Sequence, residues 1–151
     1  MVSRIVRYFH IALIIILAIS GLFGGIALMA DPSGDLLQMP IYLIENTFLG
    51  NYFLPGLILF ILLGLFPSIV ALGLISRRKI KYINSLNIYK KRFWAWTYSL
   101  YSGIILVIWI DVQILLIGWG SNLQSIYAFL GVLIIIVTLL PQTIRSYKVK
   151  K

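Results

Sequence analysis

The chain has 151 residues, 61% of them hydrophobic and 11% charged, with a formal net charge of +9. So apolar a composition leaves too little polar surface to cover a domain in water, which excludes a soluble globular protein. Nucleic-acid binding is excluded by the layout of the charge, because the 13 Lys and Arg residues stand in short blocks between apolar runs and not across one folded face.

The first apolar run covers about 5–30, behind Arg4 and Arg7. A secretory leader has an apolar region of only about 7–15 residues before a small-x-small site. This run is longer, and Leu28-Met29-Ala30 has leucine where a small residue is needed, so a retained helix is expected. Gly21 and Gly25 form a GxxxG pair, with Gly24 beside them and Ala18 a turn earlier. Small residues at that spacing let a second backbone approach closely in lipid. His10, within a turn of Arg7, reads as an interfacial side chain.

Residues 31–51 form the first outer connection. Asp31-Pro32-Ser33-Gly34 suits a type I turn, and Asp35 and Gln38 have the spacing of a capping box. Pro40 then fits the first turn of a short helix. Ile41, Ile44 and Phe48 fall on one face of that helix, and Tyr42, Glu45 and Asn46 on others. The pattern predicts a short amphipathic helix on the membrane or over the mouth of a bundle.

The second span covers 52–76, entered by Pro55 and kinked at Pro67, where a backbone donor is missing. A basic loop follows at 77–92. It carries Arg77, Arg78, Lys79, Lys81, Lys90, Lys91 and Arg92 and no carboxylate, a composition that attracts anionic lipid head groups. The third span covers 93–117. After the turn Gly118-Trp119-Gly120-Ser121-Asn122, the fourth covers 126–144, with Pro141 near its end and a tail bearing Arg145, Lys148, Lys150 and Lys151. Spans of about 20 residues match the hydrocarbon thickness of a bilayer. The expected fold is all-α: one domain over 1–151, a four-transmembrane-helix antiparallel bundle, with no internal repeat.

Orientation follows from charge. Arg4 and Arg7, the basic loop and the tail hold all 13 cations on one side of this topology, whereas the connections on the other side contain Asp31, Asp35 and Glu45. The positive-inside rule puts both termini and the central loop in the cytoplasm and the protein in the cell membrane. Tyr82, Tyr89, Phe93, Trp94 and Trp96 read as one interfacial belt, and Tyr42, Tyr52, Phe53, Trp119 and Tyr127 as the other.

Asp111 is the only carboxylate inside a span, six residues from its outer end and so about 9 Å deep at 1.5 Å per residue. A charge there is costly and marks a bundle interior or a functional path. Asp111 therefore reads either as a structural acceptor that holds the outer loop through Asn46, Thr47, Tyr52 or loop backbone, or as a proton or cation site, or as a snorkelling side chain. Trp109 and Gln113 flank it, Gln113 on another face and able to tie helices together. Asp31, Asp35 and Glu45 complete the polar groups of the outer mouth. No cysteine is present and His10 is the single histidine, so no disulfide, zinc site or other cofactor is expected. A base paired with an electrophile stabiliser is not visible either.

The Gly24-Gly25, Asp31-Pro32-Ser33-Gly34, Pro55-Gly56 and Trp109-Ile110-x-x-Gln113 stretches together resemble a group of small uncharacterised four-span membrane proteins of bacteria and archaea. The resemblance spans most of the chain. It implies a compact four-helix membrane protein in which the Asp-Pro-Ser-Gly turn packs near the Trp-Ile-x-x-Gln face, and it implies no activity.

The reading that follows is a non-catalytic accessory or structural subunit of a membrane assembly, not an enzyme. Its partners are the lipid bilayer, anionic head groups at the cytoplasmic face, and a larger complex or further copies of the chain. The alternative is a proton- or cation-coupled transporter or channel component that uses Asp111. A lipid-modifying enzyme has less support.

Overall fold

A computed structural model of the protein describes residues 2–78 and 83–149. These are helical apart from turns: α1 (Val2–Ala30), α2 (Phe53–Leu59), a π-helical turn at Phe60–Leu65, α3 (Phe66–Ser76), α4 (Trp94–Ile117), α5 (Asn122–Leu139) and α6 (Pro141–Ser146). Four helices, Arg4–Ala30, Phe53–Ser76, Trp94–Ile117 and Asn122–Leu139, are long and apolar enough to cross a membrane. The protein is an integral membrane protein built as a four-helix bundle. Large apolar side chains turn outward along every span, among them Ile19 and Phe23 of α1, Leu72 of α3, Leu115 of α4 and Phe129 of α5. In water such a surface would drive aggregation, whereas lipid tails solvate it.

The interior is held by close backbone approach. A Cβ added to Gly25 would lie 2.6 Å from the Phe60 Cβ, and one added to Gly21 would overlap the Leu63 carbonyl. That carbonyl is the group that Pro67, having no N–H, cannot serve four residues on. Just ahead of the proline the helix widens, so that the Phe66 N–H donates to the Ile61 carbonyl, five residues back. A single π turn of this kind absorbs the proline inside a continuous span. α4 and α5 cross in the same manner, with Gly103 and Gly131 each placed against the other's carbonyl.

Prolines also decide where the fourth span stops. Leu140 is extended (φ −58°, ψ 138°), since the ring of Pro141 disfavours a helical residue before it. The chain restarts as α6 with the proline in its first turn.

Beyond α6 the tail folds back on the basic loop. The Phe93 N–H donates to the Tyr147 carbonyl at 2.9 Å and the Val149 N–H to the Lys91 carbonyl at 3.2 Å. The Asn87 amide pins the loop, donating to the Arg92 carbonyl and accepting from Tyr89 N–H and the Thr97 hydroxyl. Two expectations change here. Trp94 and Trp96 are buried and not belt residues, because their indole N–H groups are spent on the Arg78 and Thr138 carbonyls inside the protein. His10 is fully buried and not interfacial.

Candidate functional site

The acidic end of the bundle is closed by residues 31–51. In place of the expected amphipathic α-helix, this segment forms two 3₁₀ turns, Asp35–Leu37 and Ile41–Leu43. The Asp31 carboxylate is the reason. Oδ1 accepts from the Ser33 N–H and hydroxyl, and Oδ2 from the Leu36 N–H at 2.7 Å, which consumes the donors a helix would start from. Gly34 (φ 87°) and Gln38 (φ 55°) are left-handed and interrupt any longer helix. Asp35 and Gln38 therefore make no capping box. The Ser33 hydroxyl, and after it the Leu36 N–H, hold the Asp31 carboxyl below its ordinary range. Asp35 and Glu45 are exposed on this loop.

Tyr52, expected in an interfacial belt, is the anchor of the loop. It is buried, its hydroxyl donates to the Pro40 carbonyl at 3.0 Å and its N–H donates to the Pro32 carbonyl. Together with Leu28 and Ile44 it forms a small second core. Phe48 is 87% exposed, so the predicted Ile41, Ile44 and Phe48 face does not form.

Beneath the loop lies a cavity of about 640 Å³ between α1 and the α4–α5 pair. Its walls carry no charged side chain. They are mostly aliphatic, with Ser20, Gln38, Trp109, Gln113, Ser121, Gln124 and Tyr127 as the lining residues that carry polar atoms. The Trp109 indole N–H is buried and has no hydrogen-bond partner among the described residues. A buried donor left unmade costs about 1–3 kcal/mol, and Trp109 carries the one such side-chain atom at this end among the described residues. Gln124, also on the wall, is occupied elsewhere: its Oε1 accepts from the Gly120 and Ser121 N–H groups and starts α5. The Ser121-x-x-Gln124 spacing is a capping-box signature, and it explains why α5 begins at Asn122 and not near 126.

Asp111 belongs neither to the cavity nor to the loop. It is exposed on α4, and no hydrogen bond reaches its carboxylate among the described residues. The expected contacts with Asn46, Thr47 or Tyr52 are absent. The carboxylate that ties the outer loop down is Asp31. Around Asp111, Ile104, Ile108, Val112 and Leu115 are exposed as well; spacings of three and four put them on one face of the helix.

The basic end divides its cations between structure and surface. Arg92 Nη1 donates to the Ile144 carbonyl at 3.1 Å, and Arg77 Nη2 reaches the Ser146 carbonyl at 3.4 Å, so both cap carbonyls of α6. Arg77 also lies over the Tyr147 ring. Burial raises the Tyr147 phenol, and the Arg77 and Arg7 charges oppose that rise. Arg78 and Lys91 are exposed, and Lys90 reaches the Ser85 carbonyl. Lys79 and Lys81 lie outside the described residues. Deeper in, His10 Nε2 sits 2.9 Å from the Thr138 hydroxyl. That hydroxyl is also 2.7 Å from the Ile134 carbonyl. His10 Nδ1, the Thr143 and Tyr147 hydroxyls and Arg7 Nε are buried without partners among the described residues. Nothing in a lone histidine's sequence position signals this cluster, whose members come from α1 and from the end of the chain. Among the described residues no group of His, Cys, Asp and Glu side chains has the arrangement of a metal site. Compared with known proteins, the chain matches no family model, no curated protein and no solved structure.

Proposed function

We propose that the protein is a non-catalytic subunit of a membrane assembly that docks side-on through the outward face of α4. The observation that carries this reading is Asp111. It is a carboxylate within a span, exposed on the outside of the bundle and without a hydrogen-bond partner among the described residues. Left against lipid tails a charged group is costly, and the cost disappears when a neighbouring helix brings a donor to it. The apolar residues around it, Ile108, Val112 and Leu115, supply the packing area that lateral association in lipid depends on. Trp109 and Ile110 turn the other way, to the cavity. A transport path through Asp111 finds no support, since the cavity walls contain no carboxylate.

In this reading the protein sits in the cell membrane with its basic end in the cytoplasm. Exposed Arg78 and Lys91 lie at the level of anionic head groups there. The chain has no cysteine, so single cysteines report cleanly. A cysteine at Leu115, treated with a short bifunctional reagent in native membranes, should cross-link the protein to a further copy or to a distinct partner. One at Phe23, exposed on α1, should cross-link much less. Asp111→Leu should reduce the Leu115 product and Asp111→Asn should retain it, since the amide keeps an acceptor and gains donors. Equal yields at Leu115 and Phe23 would end the proposal.

A further inference from the structure

The outward face of α4 has the layout of a helix that pairs with its own kind. Ile104, Ile108 and Leu115 are exposed, and Asp111 is exposed among them. Their separations of four, three and four residues place all four on one stripe, with the 3.5-residue period of a coiled-coil seam. Val112, also exposed, borders it. The stripe is confined to the outer part of the helix, because every residue from Trp94 to Leu100 is buried within the protein. Between Ile104 and Leu115 it extends about 16 Å at 1.5 Å per residue, with the carboxylate in the middle of an otherwise apolar row.

A polar residue inside such a seam fixes register and partner. Copies of one chain insert in the same direction, so in a pair of them α4 runs parallel to α4 and the two Asp111 side chains meet at one depth. The Lys and Arg residues of the described chain lie at the start of α1, at the basic loop and in the tail. Asp111 is about 26 Å along α4 from Trp94, so no cation of a second copy reaches it. What a second copy does bring is another carboxyl. A carboxyl that holds its proton carries one O–H donor and an acceptor oxygen. One Asp111 can therefore donate to the other across a two-fold axis, and the proton held between them keeps two like charges from facing each other in lipid. Both copies use the same patch, as a two-fold interface requires.

We infer that the partner on this face is a second copy of the chain, packed α4 to α4 in parallel with Asp111 hydrogen-bonded to Asp111; this rests on the docking role of α4 proposed above. The test uses the full chain, purified and returned to liposomes at a high lipid-to-protein ratio, where no other protein is present. Because the native chain has no cysteine, a disulfide formed under mild oxidation reports contact between equivalent positions of two copies. Ile104→Cys, Ile108→Cys and Leu115→Cys should each give a dimer. Leu72→Cys on α3 and Phe129→Cys on α5, both well exposed, should give far less. Adding Asp111→Leu should lower the Leu115→Cys dimer about fivefold, the worth of one neutral hydrogen bond. Adding Asp111→Asn should retain it, since the amide also has a donor and an acceptor. Circular dichroism shows whether each variant is folded, and Asp111→Ala replaces a Leu variant that is not. In native membranes, Leu115→Cys cross-linked only to a protein of different mass would overturn self-pairing and leave the docking face standing. Yields at Leu115 no higher than at Leu72, in liposomes and native membranes alike, would remove both. A Leu115→Cys dimer indifferent to Asp111→Leu would overturn the pairing of carboxyls.

Discussion

Gly21 and Gly24 stand three residues apart in one helix, yet their surroundings ask opposite things of them. At Gly21 an added Cβ would strike the Leu63 carbonyl and the Gly64 nitrogen, which are backbone atoms; at Gly24 the nearest atom is the tip of the Leu59 side chain at 3.1 Å. Backbone cannot yield without moving a whole helix, whereas a leucine tip can change rotamer. Gly21→Ala should therefore destabilise by about 1–3 kcal/mol through overpacking. Gly24→Ala should be neutral or stabilising by up to about 1 kcal/mol, from improved helix propensity. Chemical unfolding of both variants in the same detergent checks the pair, and equal effects would refute the helix contact. At this scale the GxxxG spacing was legible in the sequence. The surface that Gly21 meets was not, because it is created by Pro67, on another helix.

The outer loop shows how one carboxylate organises an element. Its hydrogen bonds hold the Asp31 carboxyl below the ordinary value of 3.8. A group with a depressed folded pKa stabilises fully above its unfolded value and loses that contribution as pH falls through the folded one. The loop should therefore stay closed at neutral and mildly acidic pH and open below about pH 3.8. Amide exchange at Ser33 and Leu36, normalised to the intrinsic rate at each pH, should lose protection across that window while α1 and α4 keep theirs. In Asp31→Asn the protection should be lower at neutral pH and flat across the acid range. Protection that is independent of pH in the native chain would remove Asp31 from this role. The turn signal at Asp31-Pro32-Ser33-Gly34 was readable from residue type; the helix expected after it was not what formed. Its apolar spacing was compatible with a helix, but local carboxylate bonds and two left-handed residues outcompeted that pattern over so short a stretch.

For the whole molecule, the three cationic blocks make a topological statement. If the basic end is cytoplasmic, single cysteines at Asn46 and Ser121, both exposed at the acidic end, should react with an impermeant maleimide in intact cells. A cysteine at Ser85, exposed at the basic end, should react only after the membrane is opened. The reverse pattern would invert the orientation.

Sequence alone determined the class of solvent, the number of spans and which ends lie together, because hydropathy over about 20 residues and the placement of Lys and Arg are properties of the chain that no packing can reverse. The direction in which a given side chain of a span points was left to the tertiary structure. In lipid the outside of a helix is as apolar as its inside, so the hydrophobic pattern that marks a buried face in water carries little information here. That is why His10, Trp94 and Trp96, expected at an interface, are buried, and why Asp111, for which an anchor, an ion site and a snorkelling side chain were all compatible with the sequence, is found exposed. It is also why the cavity around Trp109 became visible only once α1 had been set by its glycines against the second span.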